Sequence, residues 1–373
     1  TNIYFSSLPM KKLLVICPFP RDEAAGQRLK YEQYFDHWEE NGYMITVSSY
    51  MDTPMWNVTY QQGKYVEKIL GLFRGHLRRL RDLYYISGYD IVYVFQWVTP
   101  FGSTLSERLV RRLSKKMIYD LEDNAMTVTS NNINRLVAIF KNPNKIEYLI
   151  KTADYVITSS PVLNDYCLLA NDKVKCTYIS SSVNTDIFTP LNSYSNYKKI
   201  TIGWTGTFSS KQYLDSLRNV FIELSKRCEF RLRVIGNFKY EFPEIDLEVI
   251  QWSKENEVQD LQGIDIGVYP LFFDEWVLGK SGLKAIQYMA FGLPIVATDV
   301  GTTSKIISHL DNGLLVTTDE EWVEALEILV NNPALRRKLG TKARQEAVQG
   351  YSTNVIKTQY LSILNSLRPL NNS

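Results

Sequence analysis

The chain has 373 residues, of which 45% are hydrophobic and 22% charged, a composition typical of a soluble globular protein. This length indicates two domains rather than one. The net charge of +2 argues against bulk nucleic-acid binding. No apolar run is long enough to predict a membrane-spanning helix. Three separated histidines and four cysteines without a CxxC pair support neither a zinc site nor a Ser–His–Asp triad.

The first half of the chain alternates predicted strands with predicted helices. Strands are expected at residues 11–17, 43–50, 90–96, 116–123, 153–160 and 174–180, with helices at 26–42, 61–86 and 102–114. This alternation predicts a parallel sheet with helices on both faces. Ligands bind beyond the carboxyl ends of such strands, which here selects the loops at 18–28, 96–102, 121–124 and 159–161.

The second half restarts the same alternation after a polar, turn-rich stretch at 184–198 that is typical of a linker. Strands are expected at 199–206, 231–236, 264–271 and 293–299, with helices at 210–226, 254–262, 281–291, 320–331, 334–348 and 353–367. The sequence therefore predicts an α/β protein with two Rossmann-like domains, at residues 1–190 and 199–350.

The segment 274–301 carries the most chemical information. A glycine-containing loop ends at Gly282, and a helix is expected to begin at Leu283. Backbone N–H groups and the helix dipole favour an anion at such a helix start. Lys280 and Lys284 add positive charge at the same place, which suits a diphosphate. An ordinary loop with solvated lysines would show the same pattern.

This segment resembles the donor-binding motif of retaining glycosyltransferases of family four, which have the GT-B fold. The stretch YMAFGLPIVAT at 288–298 is similar to the end of that motif. Two motif glutamates are replaced by Gly279 and Gln287. Between them, the four residues that replace the motif's Gly-Phe-Gly-Leu are Lys280, Ser281, Gly282 and Leu283.

The two replaced acids matter because of the roles that the resemblance implies. In the family, the second carboxylate holds the ribose hydroxyls and the first lies near the sugar. Gln287 keeps an amide that can hydrogen-bond a ribose, whereas Gly279 offers no side chain. Either Lys280 and Lys284 act with nearby Asp274 or Glu275 instead, or the activity is weakened. We favour the first interpretation, because the rest of the motif is intact. The residues of this motif that are predicted to bind the donor are Lys280, Ser281, Gly282, Leu283 and Gln287.

Other parts of the chain are similar to the same family. The resemblance implies that Gly206 and Thr207 face the donor phosphates, that Lys211 supplies a basic side chain there, and that the loop after Gly236 helps to bind the base. It also implies that the two domains face each other across a cleft, with the acceptor on the first and the donor on the second. A final segment, 351–373, is expected to cross back and pack on the first domain.

The first domain contributes candidates of its own. Gly26 lets the backbone approach a ligand, and Arg28, expected at a helix N-terminus, either contacts a phosphate or is a solvated helix residue. Glu122 and Asp123 follow a predicted strand, where a carboxylate can orient or deprotonate an acceptor hydroxyl. With Lys284, these two acids form the predicted catalytic set.

The resemblance implies a retaining, hexosyl-type transfer from a nucleoside diphosphate sugar to a glycan or lipid-linked acceptor. The expected setting is the synthesis of bacterial surface polysaccharide, including lipopolysaccharide. No metal ion and no nicotinamide are expected, because backbone groups and lysines neutralise the phosphates. The leaving diphosphate is expected to take the acceptor proton on the same face of the sugar.

The stretch 64–81 is unusually basic, with six basic residues and one acidic residue. Arg74, Arg78 and Arg81 recur at helical spacing beside an apolar stripe. This pattern is typical of a helix that lies on anionic lipid, and equally of a core helix with a solvated basic face. The apolar run Leu13 to Cys17 is too short for a signal peptide, so the sequence predicts a cytoplasmic protein, with peripheral membrane attachment as the finer hypothesis.

Three other functions compete with this interpretation. A sugar-nucleotide-binding subunit that has lost catalysis would also explain Gly279 and Gln287. A sugar-nucleotide epimerase of the same fold is disfavoured by the lack of a well-placed histidine and acid. A Rossmann dehydrogenase is disfavoured because no GxGxxG follows the first strand.

Overall fold

The computed structural model describes residues 10–367 except 60, 62, 123–142, 171–174 and 192–198. The chain divides into two compact units, Thr1–Ser180 with Lys357–Ser373, and Ser181–Ile356. Within the described ranges, the strands form two six-stranded sheets, and every paired strand is parallel to its neighbour. The predicted α/β class with two parallel sheets is confirmed.

The first unit is built on a sheet with the strand order β2-β1-β3-β4-β5-β6. Its strands are β1 (Lys11–Cys17), β2 (Tyr43–Ser49), β3 (Ile91–Phe95), β4 (Met117–Leu121), β5 (Tyr155–Thr158) and β6 (Lys175–Tyr178). Its described α-helices are Ala25–Arg28, Phe35–Glu40, Thr53–Thr59, Tyr65–Tyr85, Leu105–Leu113, Pro143–Thr152 and Pro161–Ala170. Every residue of β3 and β4 is buried, as continuous apolar runs predict for strands covered on both faces.

The second unit has the strand order β12-β11-β10-β7-β8-β9. Its strands are β7 (Ile200–Gly206), β8 (Phe230–Gly236), β9 (Leu247–Gln251), β10 (Ile266–Tyr269), β11 (Ile295–Thr298) and β12 (Leu314–Val316). Its described α-helices are Lys211–Asp215, Arg218–Ser225, Glu257–Gln262, Glu275–Leu278, Leu283–Ala290, Thr303–Ile306, Asp319–Asn331 and Pro333–Gly350. Trp204 and Phe221 lie at the centre of one apolar core of this unit.

The boundary between the units lies earlier than the sequence suggested. We expected the first domain to extend to residue 190, but the second unit begins at Ser181. The reason is local contact: the Val183 amide donates to the Tyr351 carbonyl at 3.1 Å, and the Phe188 ring lies 5.3 Å from the Phe291 ring. These contacts tie the segment after β6 to the second sheet's helices.

The last helix, Thr353–Ser366, places its second half in the first unit. The Tyr360 ring lies 5.1 Å from the Tyr34 ring and 5.9 Å from the Trp38 ring, measured between centroids. The Tyr43 hydroxyl donates to Asn365 at 2.9 Å. Among the described helices, none combines the length and apolar character needed to cross a bilayer.

Candidate active site

The strand order of the second sheet indicates where a ligand-binding crevice would lie. The chain leaves β7 towards β8 on one side and reaches β10 on the other, so β7 and β10 flank the point where the winding direction reverses. Open α/β sheets bind ligands beyond the carboxyl ends of the strands at this switch point. Gly206 ends β7, and the loop that follows β10 leads to the helix Leu283–Ala290. The lysine-bearing motif therefore stands beside the crevice.

The glycines at the ends of β7 and β8 are required by close contacts. A Cβ added to Gly206 would lie 2.3 Å from the Trp204 ring. A Cβ added to Gly236 would lie 2.7 Å from the carbonyl oxygen of Gly206, its partner across the two strands. Glycine is therefore needed at both strand ends, because neighbouring atoms occupy the space that a side chain would require.

The start of the helix Leu283–Ala290 has the geometry of an anion site. Gly282, the residue before the helix, has a φ of +74°, and both Ser281 and Gly282 are buried. The first N–H groups of a helix have no intrahelical acceptor, and the helix dipole adds partial positive charge there. The first turn of this helix contains no acidic side chain that would compete with an anion. The predicted donor residues Ser281, Gly282 and Leu283 thus lie together at this helix start.

Gly282 is also a structural position, which leads to a prediction. Replacing it with alanine is expected to lower the free energy of unfolding by about 1–3 kcal/mol, because a side chain at positive φ is strained. The new Cβ would also lie 2.3 Å from a terminal carbon of Ile306. Denaturant unfolding measures the change. Gly350→Ala is the matched control in the same unit, since no atom lies within 4 Å of its added Cβ; equal stability of the two variants would contradict the prediction.

Lys284 is held by aromatic rings rather than by an acid. Its Nζ lies 4.7 Å from the centre of the Trp204 ring, 5.9 Å from that of Tyr269, and 3.4 Å from the Ser210 hydroxyl oxygen. Burial of the ammonium, reinforced by the nearby charge of Lys280, lowers the pKa of Lys284 to about 7. This lysine therefore sits at a protonation balance that a bound anion would shift towards the charged form.

Lys280 completes the pair. Its Nζ lies 5.3 Å from the centre of the Tyr213 ring. Within the part of the chain that the structure describes, no carboxylate lies within ion-pair distance of Lys280 or Lys284. Two neighbouring lysines without a carboxylate partner among the described residues, next to a helix N-terminus, would attract a polyvalent anion.

The glutamine that replaces the second family acid is buried beside a carboxylate. Gln287 is 5% exposed, and its side-chain amide donates to Glu257 Oε1 at 3.4 Å. The Trp252 indole donates to the same oxygen at 3.4 Å. Glu257, 7% exposed, begins the helix Glu257–Gln262 and was missed by the sequence interpretation. No local spacing marks it, because its contact with Gln287 spans thirty residues.

The two acids considered as substitutes lie at the start of the short helix Glu275–Leu278. Asp274 accepts a hydrogen bond from the Val277 amide at 2.8 Å and so caps the helix Glu275–Leu278. Glu275 lies in the first turn of that short helix. The Asp274 carboxylate is thus engaged with backbone rather than with the lysine pair, and Glu257 is the acid nearest to Gln287 in the contacts described.

The loop after β7 is well ordered by its own hydrogen bonds. Thr207 and Ser210 form a reciprocal cap, and the Phe208 amide donates to Asn237 at 2.8 Å. Lys211 Nζ pairs with Asp215 at 2.8 Å, so its charge is compensated, unlike that of the two lysines across the crevice. Of the predicted donor residues in this loop, Gly206 and Thr207 present backbone at the crevice edge.

In the first unit, the structure brings Gly26 and Glu122 together. Gly26 lies in the helix Ala25–Arg28 after β1, and Glu122 directly follows β4. A Cβ on Gly26 would lie 3.2 Å from Glu122 Oε2, so the glycine leaves room for that carboxylate. Asp123, the third predicted catalytic residue, lies outside the described residues.

The expectation for Arg28 is wrong in one respect. It ends the helix Ala25–Arg28 instead of beginning one, since the predicted helix at 26–42 is broken into Ala25–Arg28, Glu32–Tyr34 and Phe35–Glu40. The break arises because Lys30 and Tyr31 turn into the core. Arg28 therefore stands at a helix C-terminus, whose dipole does not help to bind a phosphate.

The interruption also creates a buried ion pair beneath Glu122. Lys30 Nζ lies 2.6 Å from Asp120 Oδ1, and the Tyr93 hydroxyl donates to the same carboxylate. Burial raises the pKa of Asp120, and the charge of Lys30 opposes that rise. Asp120 is thus committed to the core, which leaves Glu122 as the described carboxylate at the edge. Among the described residues, no group of three histidine, cysteine or acidic side chains could hold a metal ion.

Fold and site together define the class. Two doubly wound parallel sheets, with the lysine-bearing loop at the switch point of the second, are the architecture of GT-B glycosyltransferases. Residues 199–332, which lie in the second unit, match the family described as Glycosyl transferases group 1. An uncharacterised glycosyltransferase of Haemophilus influenzae is 27% identical over 208 residues, which are 52% of this chain and 57% of that protein. The chain thus spans little more than half the length of that curated relative.

Solved structures share the whole fold at low sequence identity. Sucrose-phosphate synthase from Thermosynechococcus elongatus superposes with a TM-score of 0.70 at 15% identity, covering 96% of this chain and 99% of the other. HepE of Anabaena, solved in complex with UDP-glucose, has a TM-score of 0.65 at 12% identity, covering 95% and 99%. These likenesses establish the GT-B fold.

Proposed function

We propose that the protein transfers a sugar from a nucleoside diphosphate sugar to a hydroxyl group of a glycan or lipid-linked acceptor. The observation that carries the proposal is the pair Lys280 and Lys284, without acidic partners in the described residues, at the start of the helix Leu283–Ala290. A diphosphate there would gain two cations and a helix N-terminus at once. The UDP-glucose bound to HepE, which has the same fold, supports a donor of this kind.

The proposed chemistry follows from charge. As the bond between the sugar and the diphosphate breaks, negative charge grows on the leaving oxygen, and Lys284 with the helix start is placed to stabilise it. The acceptor oxygen forms the new bond on the same face of the sugar, with retention, and its proton passes to the leaving diphosphate. Glu122 orients the acceptor hydroxyl. In this scheme the lysines neutralise the phosphates without a metal ion, and no nicotinamide takes part.

We further propose that Gln287 and Glu257 hold the ribose hydroxyls of the donor. Their amide and carboxylate lie 3.4 Å apart in one buried cluster, so they can act as a single hydrogen-bonding unit. Hydrogen bonds to a charged group are stronger than neutral ones. The carboxylate of Glu257 would thus restore what the replacement of the family acid by Gln287 removed.

Replacing Glu257 with glutamine is expected to raise KM for the donor by about tenfold, the loss of one charge-assisted hydrogen bond. The variant should also stop distinguishing the donor from its 2′-deoxyribose analogue, while wild type prefers the ribose form. Steady-state kinetics with both donors measures this. Glu248→Gln, an acid of β9 paired with Arg233 at 2.9 Å, is the control. An unchanged preference for ribose in Glu257→Gln would contradict the assignment.

The acceptor is the finer part of the proposal. We propose a role in bacterial surface polysaccharide or lipopolysaccharide synthesis, with the protein in the cytoplasm and a lipid-linked glycan brought to it at the inner face of the cell membrane. A transfer assay that compares lipid-linked with free glycan acceptors tests this point. Exclusive use of soluble acceptors would contradict the lipid-linked assignment and leave the transferase proposal intact.

One assay separates the transferase from a binding subunit that has lost catalysis. The purified protein is incubated with a panel of nucleoside diphosphate sugars and glycan acceptors, and release of free nucleoside diphosphate is followed. Release that depends on the acceptor supports transfer. Donor binding without release under any acceptor would favour the binding subunit, which the absence of the two family acids at Gly279 and Gln287 makes the second candidate.

A further inference from the structure

The helix Tyr65–Tyr85 packs on the first unit with its small and polar side. An added Cβ would lie 2.6 Å from Met55 at Gly71 and 2.6 Å from the Tyr50 ring at Gly75, so both glycines allow close contact. Arg79 is buried, where it donates to main-chain carbonyls and pairs with Asp82 at 2.9 Å. The inward face of this helix is therefore not apolar, contrary to the expectation of a core helix with a solvated basic face.

The apolar side of the same helix points outward. We call these six side chains the outer stripe; they recur at steps of three and four residues and are 48–79% exposed: Val66, Ile69, Phe73, Leu77, Leu80 and Tyr84. With a rise of about 1.5 Å per residue, the helix presents a strip roughly 30 Å long. Contiguous exposed apolar surface of this kind marks an interaction site rather than ordinary solvent-facing surface.

The charges beside the outer stripe indicate what it meets. Residues 64–85 contain six basic and two acidic side chains, a net charge of +4. Arg74 and Arg78 both pair with Asp52, at 2.6 Å and 3.0 Å. Arg81 lies 3.7 Å from Asp82 and keeps 60% of its side chain exposed. A second copy of the helix would bring like charges together, whereas an anionic surface would be attracted.

We propose that the outer stripe is a membrane-docking surface that inserts into the headgroup region of an anionic bilayer, with the helix Tyr65–Tyr85 parallel to the membrane plane. Apolar and aromatic side chains enter the interface, and basic residues beside them contact lipid phosphates. Only the role of this docking, which is to bring the enzyme to a lipid-linked acceptor, rests on the proposed function. Vesicle binding itself requires no donor and no catalysis.

Paired apolar substitutions test the surface. Binding of Phe73→Ser/Leu80→Ser to vesicles of phosphatidylglycerol and phosphatidylcholine is expected to fall by at least about tenfold relative to wild type. Leu169→Ser is the matched control, because Leu169 is 88% exposed on another helix of the same unit. Both replaced side chains of the test variant are largely exposed, so its thermal unfolding should match that of wild type. Equal binding by the double variant, or no binding by wild type, would overturn the proposal.

The contribution of the basic residues to vesicle binding is best tested by a single substitution. Replacing all three of Arg74, Arg78 and Arg81 with glutamate would crowd the Asp52 carboxylate and disturb the fold, so Arg81→Glu alone is the sharper variant. It should weaken binding to anionic vesicles and leave weak binding to pure phosphatidylcholine vesicles unchanged.

Self-association of wild type that Phe73→Ser/Leu80→Ser abolishes, without vesicle binding, would assign the outer stripe to a dimer interface instead. Acceptor-dependent nucleotide release, measured in parallel with a soluble acceptor, shows separately whether the transferase proposal holds.

Discussion

Replacing Lys284 with methionine is expected to lower kcat/KM for sugar transfer by about 10²–10³-fold, the cost of removing one donor aimed at developing negative charge. Methionine keeps the apolar stem that lies against Trp204 and removes the ammonium. In wild type, the Lys284 Nζ is 4.7 Å from the centre of the Trp204 ring. The methionine side chain is expected to fill the same space, so the packing of the neighbouring aromatic rings should be preserved. Steady-state kinetics and calorimetric titration of the donor measure the loss.

The control for this variant is Lys226→Met, an exposed lysine of the same unit that pairs with Glu223 at 2.9 Å. It should leave both kcat/KM and donor affinity unchanged. Full activity of Lys284→Met, together with unchanged donor affinity, would remove Lys284 from the site and with it the main support for a diphosphate ligand.

The same lysine predicts how donor binding responds to pH. In the free protein, burial lowers the pKa of Lys284 to about 7. A bound diphosphate favours the charged form, so binding above pH 7 must take up a proton. Donor affinity is therefore expected to fall as the pH rises from 7 towards 9, by up to about tenfold per pH unit. Lys284→Met should lose this component of the pH dependence, and an identical pH profile in both proteins would contradict it.

Replacing Glu122 with glutamine is expected to slow transfer by about 10²-fold and to leave donor affinity unchanged, because a misplaced acceptor hydroxyl costs about this much. The carboxylate stands at the end of β4 in the first unit, beside the space that Gly26 leaves open. The substitution is nearly isosteric, so stability should change little. Rates with saturating donor and varied acceptor measure the effect.

Glu147→Gln is the matched control, since Glu147 is a partly exposed acid of the same unit that pairs with Lys151. It should leave the rate unchanged. A Glu122→Gln variant that transfers at the wild-type rate would show that another group orients the acceptor. Asp123 would then be the first residue to replace.

The sheets, and the position of the two lysines at a helix start, could be predicted because their signals are local. Buried strands such as β3 and β4 are continuous apolar runs, and a parallel sheet follows from their alternation with helices. Lys280, Gly282 and Lys284 lie within five residues, so a helix start fixes their neighbourhood. The glycine before the predicted helix is therefore found at the helix start in the structure, with a lysine on each side of it.

Features that depend on distant contacts could not be predicted. The outward turn of the helix Tyr65–Tyr85 is decided by Met55 and Tyr50, which fit against Gly71 and Gly75. An apolar stripe at helical spacing normally faces a core, and the pattern alone does not show which side has a partner. Glu257 meets Gln287 only through tertiary structure.

The central claim is that Lys280 and Lys284 bind the diphosphate of a nucleoside diphosphate sugar. The most direct measurement is thermal unfolding of wild type and of Lys280→Met/Lys284→Met in the presence of a panel of such donors. We predict that one donor stabilises wild type, by about 2.7 kcal/mol at a hundredfold excess over its Kd, and does not stabilise the double variant. Stabilisation of both proteins by the same donor to the same extent, or of neither by any donor, would contradict the claim.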